Sequence, residues 1–189
     1  RLAAHRHVVD YAAAALPDIA EMINSGDLGS AQKLLERQPA GSKTVQRAFD
    51  AACRIGNQAL LAQTLAAQAD PNTPESPLTL AAKRNATGEV DLLLRYGADA
   101  SLSTGALPAA MEHHNDAMAS QLILAGADPN LPDATGVTPL AMALKSGQMD
   151  LARLMFSHGG YPYDFVEPAI TAGDTSLLGS LFQYGLSPD

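Results

Sequence analysis

The chain has 189 residues, 47% of them apolar and 17% charged, with a formal net charge of −8; that is enough material for a core and excludes a disordered chain. The acidic balance argues against non-specific nucleic-acid binding. The single cysteine, Cys53, excludes an intrachain disulfide framework and a cysteine-rich zinc site, and no apolar run approaches the roughly 18 residues a membrane span needs.

Abundant alanine and leucine, absent tryptophan and missing runs of Val, Ile and Thr favour helix. The chain opens on Arg1 rather than Met, so it reads as a trimmed or processed product. A cytoplasmic setting is favoured, with any upstream targeting segment left open.

In chain order, Leu2, Val8, Val9, Ala12, Ala13 and Leu16 form the apolar set of a first helix. Arg6, Asp10 and two histidines interrupt it, which argues against a secretory segment; residues 1–15 are expected to be an N-terminal capping helix. Helix pairs follow. Ile19, Met22 and Ile23 after Pro17 face Leu28, Ala31, Leu34 and Leu35. Phe49, Ala52 and Cys53 face Leu60, Leu61 and Leu65. Leu78, Leu80, Ala81 and Ala82 face Val90, Leu92, Leu93 and Leu94. Leu107, Ala109, Ala110 and Met111 face Ala117, Leu122 and Ile123. A helix opened by Thr138-Pro139 faces Leu151, Leu154, Met155 and Phe156, and Val166, Ala169 and Ile170 face Leu177, Leu178, Leu181 and Phe182. Cys53 occupies the slot of a small buried residue, which explains it without a nucleophile.

Two register marks recur. Gly26, Gly56, Asn85, His114, Gly147 and Gly173 each follow a first helix, and five of these six are Gly or Asn, the residues that tolerate the left-handed conformation ending a helix. The second helices end in Gln68-Ala69-Asp70-Pro71-Asn72, Gly97-Ala98-Asp99, Gly126-Ala127-Asp128-Pro129-Asn130, Gly159-Gly160 and Gly185. A period near thirty residues with two helices per period is a repeat signature.

Ser76-Pro77-Leu78-Thr79-Leu80-Ala81-Ala82, Thr138-Pro139-Leu140-Ala141-Met142-Ala143 and the Gly-Ala-Asp-Pro-Asn pieces resemble the ankyrin repeat with its Thr-Pro-Leu-His-x-Ala opening. The resemblance spans about Leu16 to Asp189. Histidine is missing from the opening throughout, and only residues 136–159 approach the full pattern. The resemblance implies an all-α, ankyrin-type solenoid of about six helix-turn-helix repeats with short β-hairpin or loop fingers, at about 16–41, 42–72, 73–101, 102–130, 131–162 and 163–189. The degenerate, alanine-rich copies suggest a bacterial protein.

No catalytic constellation is present: there is no Gly-x-Ser-x-Gly elbow, no His-Glu-x-x-His and no phosphate-cradling glycine loop. His113, His114 and Asp116 lack a third ligand at a supporting spacing, and neighbouring helix residues diverge. Neither metal nor cofactor is expected. The resemblance instead implies binding of a partner protein through a concave groove lined by the ends of the first helices. By register those ends place Arg54, Lys83, Arg84 and Lys145 on one basic stripe. Glu112 and His113 stand at the corresponding end of the fourth unit, with His113 counted among the contact residues. The stripe points to a partner presenting an acidic segment, and ordinary solvated helix surface is the alternative.

Twelve positions separate Asp128 from Leu140 but only eight separate Asp70 from Leu78 and Asp99 from Leu107, so two fingers are clipped. Six of the nine aromatic residues lie in the last third, among them Tyr161 and Tyr163 in a connecting loop, either as binding anchors or as cover for the end of the array. A module monomeric on its own is expected. Its uses remain three: an inhibitor or immunity-type protein, a targeting or adaptor domain of a larger polypeptide, and a self-associating scaffold.

Overall fold

A computed structural model describes residues 18–161, 166, 170–171, 173 and 175–183. The expected N-terminal helix and Tyr163 lie outside these residues. Short polar side chains start many of the helices. Asp18 accepts from the amide of Ala20 ahead of α1 (Ile19–Ser25), Asp27 from Ser30 ahead of α2 (Leu28–Leu35), Ser42 from Val45 ahead of α3 (Lys43–Ile55) and Asn57 from Leu60 ahead of α4 (Gln58–Ala66). Each such oxygen satisfies an amide that a helix start leaves without an intrahelical partner. α5 (Pro77–Lys83) and α9 (Pro139–Lys145) open on proline, whose missing N–H costs nothing there. α6 (Thr87–Arg95), α7 (Ala106–Glu112), α8 (Asp116–Leu124), α10 (Met149–Ser157) and α11 (Thr175–Gln183) complete the order.

The first register mark is a conformational one. Gly26, Gly56, Asn85, His114, Gly147 and Gly173 all have positive φ, from 52° at His114 to 87° at Gly26. The left-handed residue turns the chain so that the next amide reaches back into the helix: Asn115 N donates to Ala110 O at 3.0 Å and Gln148 N to Ala143 O at 2.9 Å. Asn85 and His114 carry a Cβ into that conformation, which costs about 1–2 kcal/mol for an ordinary residue.

The helices form two layers. α1, α3, α5, α7 and α9 pack against one another in that order, and α4, α6, α8 and α10 form a second row behind them. Small buried residues let the front row approach closely: Ala51, Ala52 and Cys53 on α3, Ala81 and Ala82 on α5, Ala109 and Ala110 on α7, and Ala143 on α9. Leucines between the rows fill the remaining volume, with Leu60, Leu78, Leu93, Leu107, Leu122 and Leu140 each almost fully buried. Three inward assignments are corrected. Ala117 is exposed, because the Asn115 cap starts α8 so that Met118 and Ala119 face the core instead. Ile170 and Phe182 are 60% and 45% exposed rather than packed.

Among the described residues the fold is all-helical, as ankyrin-like helical repeats would be, and contains no β-strand. The expected hairpin fingers are not seen. The connections after α4, α6 and α8 are instead closed by side chains. Asp70, Asp99 and Asp128 each accept from the amide two residues on, at 2.9, 2.9 and 2.8 Å, the side-chain mimic of a backbone turn. Side-chain amides then bridge to the next unit. Asn72 donates to Gly97 O at 3.1 Å and accepts from Asp99 N at 2.7 Å; Asn130 donates to Gly159 O and accepts from Tyr161 N, both at 2.8 Å. Gln46 of α3 grips the peptide of Asp70 in the same two-bond fashion. An amide side chain carries the same donor and acceptor as a peptide group. These bridges do the work of ladder bonds in the clipped connections after α4 and α6. They persist in the longer connection after α8, where one backbone bond, Asp133 N to Val137 O at 2.9 Å, closes the finger tip.

Candidate functional site

The front-row helices end in a line of charges. Arg54, Lys83, Glu112 and Lys145 each stand two residues before the left-handed cap of α3, α5, α7 and α9, and all four are exposed. Cations suit a helix C-terminus, where the helix dipole is negative, and Glu112 is the departure from that rule.

Carboxylates divide the expected basic stripe. Arg54 Nη1 lies 3.3 Å from Glu75 Oε1, with both side chains about half exposed, an arrangement worth little. Arg84 is held more firmly. Its Nη2 stands 2.5 Å from Glu89 Oε2, and Glu89 is only 6% exposed. The guanidinium also lies over Gly56, where an added Cβ would meet Arg84 Nε at 3.0 Å. Arg84 thus joins the third unit to the second as a structural clamp. Lys83, Glu112 and Lys145 make no ion pair among the described residues. The ring Nε2 of His113 is 3.0 Å from Lys83 O, which ties the end of α7 to that of α5.

A cleft of about 330 Å³ opens beside this line. Lys83, Pro108, Ala109 and Glu112 form its helical wall, and Pro132, Asp133 and Ala134 of the one full-length finger form the other. Asp133 organises that finger: its Oδ1 accepts from Thr135 Oγ1 at 2.7 Å, Thr135 N at 2.8 Å and Val137 N at 2.9 Å. The hydrogen bond from the Thr135 side chain, then that from the Val137 amide, hold the Asp133 carboxyl below its ordinary range. It is therefore fully ionised at neutral pH. Register places Glu112 at the groove but outside the basic stripe, and Asp133 has no place in either. The Asp133-Ala134-Thr135-Gly136 turn was the available signal for Asp133, but nothing in sequence spacing brings that turn to the end of α7.

Tyr161 is 65% exposed, and its amide is fixed by Asn130. Cys53 is buried, and burial first, then the charge of Asp50, pushes its thiol up to about 12. A thiol in that state is neither nucleophile nor metal ligand at neutral pH. No helix among the described residues is long and apolar enough to cross a membrane.

No protein-family model matches the chain. A mouse (Mus musculus) protein named ankyrin repeat and SOCS box protein 16 is 35% identical over 99 residues, covering 46% of this chain. That match points to ankyrin repeats. It spans only 22% of the mouse protein, so the likeness is to a portion of ankyrin-repeat sequence and carries nothing about the rest of that protein. The two-layer helix arrangement and the left-handed caps agree with ankyrin-type units.

Proposed function

We propose that the chain is a non-catalytic protein–protein interaction module, its ankyrin-type units stacked as a solenoid, which binds a partner protein through the face formed by the front-row helix ends and the fingers. The cleft between α7 and the 131–137 finger carries this reading. It joins a rigid helical wall to a loop held by three hydrogen bonds on one carboxylate oxygen, and such pre-organised concave surfaces lower the ordering cost of binding. The partial ankyrin-repeat relative supports the same class of function. With Arg84 held by the buried Glu89 and Arg54 only loosely paired with Glu75, the attraction for acidic groups rests on Lys83 and Lys145, with Arg54 at the edge of the stripe. Tyr161, exposed in the connection after α10 and tied by its amide to Asn130, is the aromatic candidate for an anchor. An inhibitor or immunity-type role would require that the bound partner be an enzyme or toxin.

Three parallel pull-downs compare the wild-type chain, a Lys83→Glu/Glu112→Lys/Lys145→Glu variant and, as control, Arg95→Glu on the second row. Proteins retained by wild type and control but lost by the triple variant support the reading. Equal retention by all three chains refutes it. Light scattering on the purified chain gives a concentration-independent monomer mass if the module does not self-associate.

A further inference from the structure

The charges left without an internal partner on the front row are not of one sign. Lys83, Glu112 and Lys145 occupy the same register position on three successive packed helices, α5, α7 and α9, and read positive, negative, positive. The cleft beside the middle one adds the ionised Asp133 opposite Glu112. Pro108 and Ala109 on the helical wall and Pro132 and Ala134 on the finger wall add apolar lining between these carboxylates. Two carboxylates on an apolar lining suit the stem and head of one long cationic side chain, which buries its methylenes and keeps its charge at the rim. Lys83 lines the same cleft, so an acidic group of the ligand must accompany the cation there, and Lys145 stands at the corresponding end of α9.

Spacing sets the form of the ligand. Neighbouring packed helices lie about 8–10 Å apart, and a chain in the polyproline II conformation rises about 3.1 Å per residue with about three residues per turn. A segment crossing the row therefore returns a side chain to the same face at about each new helix end, every third residue. We propose, resting on the interaction-module reading, that this face takes an extended peptide segment of acidic–x–x–basic–x–x–acidic pattern. Its basic side chain, an arginine or lysine, enters the cleft between Glu112 and Asp133, and its acidic side chains meet Lys83 and Lys145. The pattern replaces the uniformly acidic partner that the cation stripe implies, and it gives the site a direction-independent register.

The test selects displayed random twelve-residue peptides on the full immobilised chain. A fluorescein-labelled peptide from the enriched pool is then measured by anisotropy. The expected result is enrichment of the acidic–x–x–basic–x–x–acidic spacing. Lys83→Glu and Lys145→Glu should each weaken that peptide about tenfold, with the loss shrinking at high salt. A new selection on Glu112→Lys should shift the middle position to an acidic residue. All three residues are exposed helix ends, so folding is preserved, and circular dichroism checks it. Enriched peptides with no charge spacing, indifferent to these changes but displaced when Thr104→Trp or Ala134→Trp, both at residues lining the cleft, fills it, overturn the inference and leave the interaction face standing. Peptides indifferent to the filled cleft as well remove both. Absence of any enrichment overturns the inference, and the pull-down then decides the broader reading.

Discussion

Ser101 stands where Asn72 and Asn130 stand in the neighbouring units. Its amide makes the same turn, donating to Asp99 Oδ1 at 2.9 Å, but its hydroxyl donates to that same oxygen at 2.6 Å and does not reach the next unit. An asparagine there keeps a bond to the aspartate, as Asn130 Nδ2 does to Asp128 Oδ1 at 3.0 Å. Replacing Ser101 by asparagine should build the missing bridge, with Nδ2 donating to Gly126 O and Oδ1 accepting from Asp128 N, by analogy with Asn72 on Gly97 and Asp99. Two exposed hydrogen bonds contribute about 0.5–1 kcal/mol each, and fixing the asparagine rotamer costs up to about 1 kcal/mol. The net gain expected of Ser101→Asn is therefore about 1 kcal/mol. The reverse change, Asn130→Ala, removes bonds to Gly159 O and Tyr161 N and should cost about 1–2 kcal/mol. Urea unfolding measures both effects. Amide exchange localises them, with the Asp128 amide protected about fivefold more in Ser101→Asn and the Tyr161 amide less in Asn130→Ala. If Asn130→Ala is neutral and Tyr161 exchanges as before, the side-chain bridges do not hold the units together, and the account of the strandless fingers fails.

The remaining predictions concern single positions. His114 sits at φ 52° with its side chain exposed, so His114→Gly relieves left-handed strain and should raise stability by about 0.5–1 kcal/mol after the entropy of glycine in the unfolded chain; an equal loss in thermal melts would show that the imidazole contributes a contact. Asn85→Gly should gain less, because Asn85 Oδ1 accepts from Asn115 Nδ2 at 2.7 Å. Arg84→Ala strands the buried Glu89 carboxylate and should cost about 2–3 kcal/mol, below the full range for a buried pair because Arg84 is partly exposed. The double variant with Glu89→Gln should recover much of that loss in a double-mutant cycle; strict additivity would refute the clamp. Cys53, with its thiol pushed up to about 12, should resist iodoacetamide at pH 8 in the folded chain and react once urea unfolds it. Rapid native labelling would place the thiol at the surface.

The repeating register was legible in the sequence because it rests on local chemistry. Left-handed helix ends call for Gly or Asn, short polar residues cap helix starts, and the Ala-Ala and Cys53 slots mark close packing; each signal lies within a few residues of the feature it sets. His114 could be placed by period alone, against its own preference. Two things depended on the tertiary structure. The first was the sign of the interaction face: Arg54 and Arg84 face Glu75 and Glu89 across 21 and five residues, and whether a cation is free depends on which carboxylate the fold delivers to it. The second was the cleft, since α7 and the finger that carries Asp133 meet only when successive units stack. Ala117 shows the same limit from the other side, since apolar character alone does not say which face of a short helix looks inward until its cap sets the starting angle. Periodicity names the repeat, but charge pairing between repeats is a property of their packing, and the face offered to a partner is what that pairing leaves over.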